Sequence, residues 1–187
     1  MMPSKIQYMN ILLIIVFALV FPLVHVLNGW LFRFAEITPH IAWIYLPAFL
    51  RLAHVLILGR VSGTLATLLG SLLLMWHFDA DFPTALVNSL CSAGGPLLAL
   101  SLFRWHSGRD VALTSLKDLT WLTLIYAISN AVLHHTAWSV VDPSQLKAPV
   151  QVVWMIVGDV LGTLLGAYIL RWGILRYRYH QLEKELH

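Results

Sequence analysis

"LPAFLRLAHVLILG", residues 46–59, is suited to a lipid bilayer except at two positions, Arg51 and His54. An arginine at the centre of a membrane helix costs at least about 2.5 kcal/mol on insertion scales, and it persists where a partner or a water-filled cavity receives it. The surrounding apolar run extends from Ile41 to Leu58. At 1.5 Å per residue, Arg51 lies about 15 Å below the outer end of that run. That is the middle of a hydrocarbon core about 30 Å thick.

The rest of the chain agrees with a bilayer setting. Of its 187 residues, 59% are hydrophobic and 11% charged, where a soluble domain carries about 25% charged residues. The mean hydropathy is +0.76. Six apolar runs approach the roughly 20 residues needed to span: Met9–Trp30, Ile41–Leu58, Val61–Trp76, Pro83–Phe103, Leu116–Val141 and Pro149–Trp172. Breaks fall at "ITPH" (37–40), "GR" (59–60), "DADFP" (79–83) and "DPSQLKAP" (142–149), with Pro39, Pro83 and Pro149 suited to first turns. The first run ends in "HVLNGWLFRF" without a small-residue cleavage site, so it reads as a retained helix. The expected fold is all-α, a polytopic bundle of about six transmembrane helices over residues 1–173, followed by a short basic and mixed-charge cytoplasmic tail at 174–187.

Lysine and arginine orient the bundle. With the N-terminus inside, the inner segments hold Lys5, Arg60, Arg104, Arg109, Lys117, Arg171, Arg176, Arg178 and Lys184, and the outer ones only Arg33 and Lys147. Both termini are therefore expected in the cytoplasm, with the bilayer of a bacterial inner membrane as the first partner. The basic residues are scattered at the ends of apolar runs, so the sequence pI near 9.2 reflects this orientation and does not point to nucleic acid.

Three polar residues share the middle depth. Asp159 lies about 15 Å from Pro149, and Asn130 falls at a similar level. Arg51 and Asp159 are expected to pair across the bundle, with Asn130 as a third partner. His54 is one turn from Arg51 on the same face. The arrangement reads either as a small polar cavity for an anionic or zwitterionic ligand or as a clamp that fixes helix packing. In "SLCSAGGPLLAL", Pro96 removes a backbone donor and Gly94 and Gly95 ease a break. Such breaks at mid-depth serve as binding sites in transporters, although a plain proline kink is commoner. Gly158, Gly162 and Gly166, four residues apart, form a smooth face for close packing, inside the chain or between copies. Gly63, Thr67 and Ser71 form a weaker one.

His25, with His134 or His135, has the chemistry of axial haem b ligands, but no further haem signature accompanies them. Satisfied or pH-sensing histidines are the alternative. The single cysteine, Cys91, excludes an internal disulfide, and the sequence holds no zinc motif. It also has no nucleophile elbow, P-loop or HExxH motif. The sequence therefore argues against an enzyme, and neither catalytic residues nor a metal site is assigned.

A family resemblance is carried by "WIYLPAFLRLAHVLILGRVSGTLATLLGSLL" (43–73) and "WMIVGDVLGTLLGAYIL" (154–170). These resemble the tryptophan–proline–alanine helix, glycine-marked hairpin and late Gly-Asp-x-x-Gly helix of MASE-type membrane-associated sensor domains. Gly158, Asp159 and Gly162 match the last motif. "NSLCSAGGPLLALSLFR" (88–104) lies where that family has an asparagine-led helix, which brings in Asn88. The resemblance covers about two thirds of the chain. It implies a bacterial inner-membrane sensor. Two departures are the six runs, where the family usually has more, and the lack of a following output domain. A stand-alone sensory or accessory subunit would relay to another protein through the inner loop 104–117 or a C-terminal stalk. The rival readings are a solute-transport component, a structural assembly subunit of a larger membrane complex, and a haem-binding electron-transfer protein. Another membrane or cytoplasmic protein, or a homo-oligomer, is the expected protein partner.

Overall fold

A backbone buried in hydrocarbon has to satisfy its own N–H and C=O groups, so long apolar stretches become helices. In the computed structural model, which describes residues 5–38, 41–78, 80–146 and 148–185, the helices are α1 (Lys5–Leu31), α2 (Pro47–Leu58), α3 (Arg60–Leu72), α4 (Met75–Phe78), α5 (Phe82–Ser107), α6 (Leu116–Val141) and α7 (Gln151–Glu185). A small antiparallel pair, β1 (Glu36–Thr38) and β2 (Ile41–Ala42), joins α1 to α2. The architecture is all-α apart from this hairpin. Pro39, the loop charges Asp79 and Lys147, and the last two residues of the tail lie outside the described residues.

Among the described residues, four stretches are long and apolar enough to cross a membrane: Tyr8–Leu31, Arg60–Phe78, Phe82–Ser107 and Gln151–Tyr177. The other two expected spans depart for physical reasons. The run 41–58 is not one helix, since only its last 12 residues are helical, about 18 Å of length. Its first part is β2 and an extended lead into Pro47, which occupies the first turn of α2. α6 has the length, at 26 residues, but Asp118, Asn130, His134 and His135 dilute its apolar character. The expected turn at 59–60 is present, with Gly59 at φ +82° joining α2 to α3. Pro83 sits in the first turn of α5 as expected. Pro149 instead precedes α7 by two residues, and the Gln151 side chain accepts the Ala148 N–H at 3.1 Å.

The helices close a ring. α2 packs on α3, α3 on α5, α5 on α6, α6 on α7, and α7 returns to α2, while α1 lies outside against α3 and α2. Leu12, Leu19 and Leu23 of α1 remain exposed, a surface that lipid would cover. Within the ring, α6 contributes a buried row at four-residue spacing: Asp118, Leu122, Tyr126, Asn130, His134 and Trp138. Residues four apart form one inclined ridge of a helix, so the row faces its neighbours along its whole length. One half of the interior is filled by Ala48, Leu52, Val55, Ala99, Leu100, Phe103, Leu122 and Tyr126.

The glycine face of α7 is an internal packing surface, but it does not receive a straight helix. A Cβ at Gly158 would strike the Ala42 carbonyl, one at Gly162 the Tyr45 carbonyl, and one at Gly166 the Phe49 ring. The three glycines form a groove for the extended lead and the first turn of α2. Extended backbone at such a place needs partners. The Tyr45 N–H donates to the Gly158 carbonyl at 3.2 Å, and the Trp43 N–H to the Ala35 carbonyl at 2.8 Å. Asn28 of α1 completes the set, donating to the Ile44 carbonyl at 3.2 Å and accepting the Leu46 N–H at 2.8 Å.

The expected break at Gly94, Gly95 and Pro96 is absent, because α5 runs through all three residues. Pro96 removes the bond to the Ser92 carbonyl without ending the helix. Gly95 has a different role: a Cβ there would lie 3.1 Å from Asn130 Oδ1. Its small size lets α5 approach that amide.

Candidate functional site

Arg51 sits in the second turn of α2 and is only 4% exposed. Its Nη1 donates to Asn130 Oδ1 of α6 at 3.3 Å, and its Nη2 donates to the Tyr45 hydroxyl at 3.1 Å. The other end of the same amide, Asn130 Nδ2, donates to Asp159 Oδ2 of α7 at 2.7 Å. The three expected residues therefore meet, but in a different order. Asn130 is not a third partner beside a direct Arg51–Asp159 pair. It stands between them and turns its oxygen to the cation and its nitrogen to the carboxylate. The guanidinium also lies over the Tyr45 and Phe21 rings, 5.1 and 5.7 Å from their centroids. Aromatic faces attract cations, more strongly where water is excluded. Arg51 Nε makes no hydrogen bond.

A cavity of about 550 Å³ reaches this centre. Its mouth is formed by Thr38, Asp81, Asp142, Ser144 and Gln145, at the end of the ring that carries the hairpin and the α4–α5 and α6–α7 connections. Asn88, Ser92, His134 and Trp138 form its walls, and Tyr45, Arg51 and Asp159 lie deepest. The volume suits a small molecule. The apolar cluster of Leu52, Val55, Leu100, Phe103 and Leu122 lies further along α2, α5 and α6, on the side of the polar centre away from these connections.

The other expected residues divide. Asn88 accepts the Trp138 indole N–H at 2.7 Å and lines the cavity. His134 lines it too, whereas His135 turns Nδ1 to the Ala131 carbonyl at 3.0 Å and is not among the lining residues. Of the adjacent histidines, only His134 shares the cavity with His25, whose Nδ1 is 3.1 Å from the Tyr45 hydroxyl. His54 does not border the cavity, contrary to expectation. It is enclosed between α2, α3 and α1, with Nδ1 3.0 Å from Thr67 Oγ1 and its ring edge-on to Phe17 and Phe21. Among the described residues, no three His, Cys, Asp or Glu side chains cluster as a metal site.

Sequence reasoning missed Tyr45, Tyr126 and Asn28. Tyr45 lies in "WIYLP" and looks like part of an interfacial aromatic belt. Tyr126 is fully buried beside the guanidinium. The signal for it was the four-residue row on α6, in which it falls one turn before Asn130. Asn28 resembled a polar helix end. Its task is visible only once the backbone at 44 and 45 is known to lie outside any helix.

No family model, curated protein or solved structure matches the chain. The site's chemistry is therefore the ground for a functional reading.

Proposed function

We propose that this chain is a bacterial inner-membrane sensory or accessory subunit, with both termini cytoplasmic, that takes up a small polar ligand from the outer side. The observation that carries the reading is the cavity lined by Arg51 and Asp159, which reaches the Arg51–Asn130–Asp159 centre. An intramembrane ionisable pair is a functional-site hypothesis by default, and a pair needed only as a clamp has no use for an open approach. The sidedness rests on nine inner against two outer basic residues. The resemblance to MASE-type sensors favours signalling. Ligand contacts with α2, α6 and α7 at once would shift the balance of the ring. α7, whose 35 residues reach about 52 Å, would carry that shift to a protein partner. No chemical step is part of this reading.

A second reading, a solute-transport component, is favoured by the half-length α2 and its extended lead beside the cavity, an arrangement that transporters use at binding sites. Vesicle flux separates the two, since a sensor moves no cargo. The test of ligand uptake is purification from a native membrane in mild detergent with mass spectrometry of everything retained. A small molecule released from the wild type and missing from the Arg51→Met, Asp159→Leu double variant supports it. A stoichiometric protein partner with no small molecule would replace it with a structural assembly role.

A further inference from the structure

The charge of the cavity lining specifies what it accepts. Among the described residues, that lining holds one arginine and three aspartates: Arg51, Asp81, Asp142 and Asp159. Arg51 is already engaged by Asn130, the Tyr45 hydroxyl and two aromatic faces. Asp81 stands at the N-cap position of α5 without making a capping bond, which leaves its carboxylate available at the mouth. Asp142 accepts from Ser144 and Gln145. At the floor, Asn130 takes one oxygen of Asp159, and Asp159 also lines the cavity. A cleft whose mouth carries one sign of charge between low-dielectric walls concentrates ions of the other sign. An anion would have to pass two carboxylates, Asp81 and Asp142, to reach Arg51. A cation is drawn past Asp81 and Asp142 toward Asp159. Tyr45, Phe78 and Trp138 also line the cavity, and aromatic rings bind ammonium groups.

We propose that the cavity binds a small protonated organic amine, with its ammonium at Asp159 and its apolar part against Trp138 and Tyr45. This rests on the ligand-uptake reading above and narrows it to a chemical class.

The test is calorimetric titration of the full chain in detergent with three probes of similar size: phenethylamine, phenethyl alcohol and phenylacetate. The expected result is binding of the amine at least tenfold tighter than of the alcohol or the carboxylate. Asp159→Asn should weaken amine binding at least tenfold. Asp81→Asn, which leaves the centre untouched, should weaken it severalfold at low salt and less at high salt. Preferential binding of phenylacetate, abolished by Arg51→Gln, would overturn the amine assignment and leave ligand uptake standing. Equal affinity for all three probes would do the same. Absence of binding by any probe would also overturn the amine assignment. Uptake itself would fall only if the native purification likewise released no small molecule.

Discussion

Two arginine–aspartate pairs lie in different regions of this bundle, and they are built differently. Arg109, in the α5–α6 loop, reaches Asp118 directly, with Nη1 2.5 Å from Oδ2 and Nη2 2.8 Å from Oδ1. The same carboxylate accepts the Ala112 N–H at 3.0 Å, and Arg109 lies over the Phe103 ring. Asp118 holds the Arg109 guanidinium more firmly protonated than a free arginine. This pair holds the loop to the first turn of α6, where the Ser115 hydroxyl caps the Asp118 N–H. At the centre, Arg51 and Asp159 are kept apart by Asn130, Arg51 Nε is unused, and both residues face a cavity. A saturated pair acts as a clamp. A bridged pair facing open space keeps bonding capacity for a ligand.

The largest effect expected from breaking this contrast is at Asn130. Asn130→Leu removes the bridge and leaves two buried charges without it, a loss of about 3–5 kcal/mol. It should appear as a large fall in thermal midpoint in detergent. Arg51→Ala should destabilise more than Arg51→Met combined with Asp159→Leu, because one unpaired buried charge costs more than none. Equal midpoints for the single and double variants would contradict the coupling. Next is the groove on α7. Gly162→Ala forces the Tyr45 carbonyl aside at a cost of about 1–3 kcal/mol, whereas Gly173→Ala, with nothing within 4 Å, should leave the midpoint unchanged or slightly raised. Asn28→Ala strips two backbone partners from the lead into α2 and should cost about 1–3 kcal/mol, read from the same melts. The smallest effect is expected at Arg109→Gln. It opens a pair whose arginine is 55% exposed, so the midpoint should fall slightly, by less in high salt, and probe binding at the centre should not change.

These effects also mark what the sequence disclosed. Arg51, Asn130 and Asp159 were found by counting depth along apolar runs, because a polar group in such a run has few places to go. Their order was not legible. Depth places residues at one level without saying which helix stands between the others. The ring order does not decide it either, because α7 lies beside both α2 and α6; the hydrogen bonds of the Asn130 amide do. The run 41–58 misled for a related reason. An extended segment supported by Asn28 and Gly158 needs no polar residues of its own, so its composition is that of a helix. Pro47 was the one local sign of a later start. Pro96 misled in the opposite direction, since a helix held on both sides tolerates a proline that a free one would not.

The open approach to the centre can be measured by thiol accessibility in intact membranes. In a Cys91→Ser background, cysteines are placed at Asn88, which lines the cavity, at Ser92, a turn further along α5 and also lining it, and at Leu90, an exposed apolar position on the outer surface of α5. A charged, membrane-impermeant thiosulfonate is applied from the outer side. Fast reaction at 88, slower but complete reaction at 92, and none at 90 is the expected pattern, with phenethylamine slowing the first two. Protection of 88 and 92 equal to that of 90, while a cysteine at Asp81 reacts, would show that water does not enter, and the centre would then be a closed clamp.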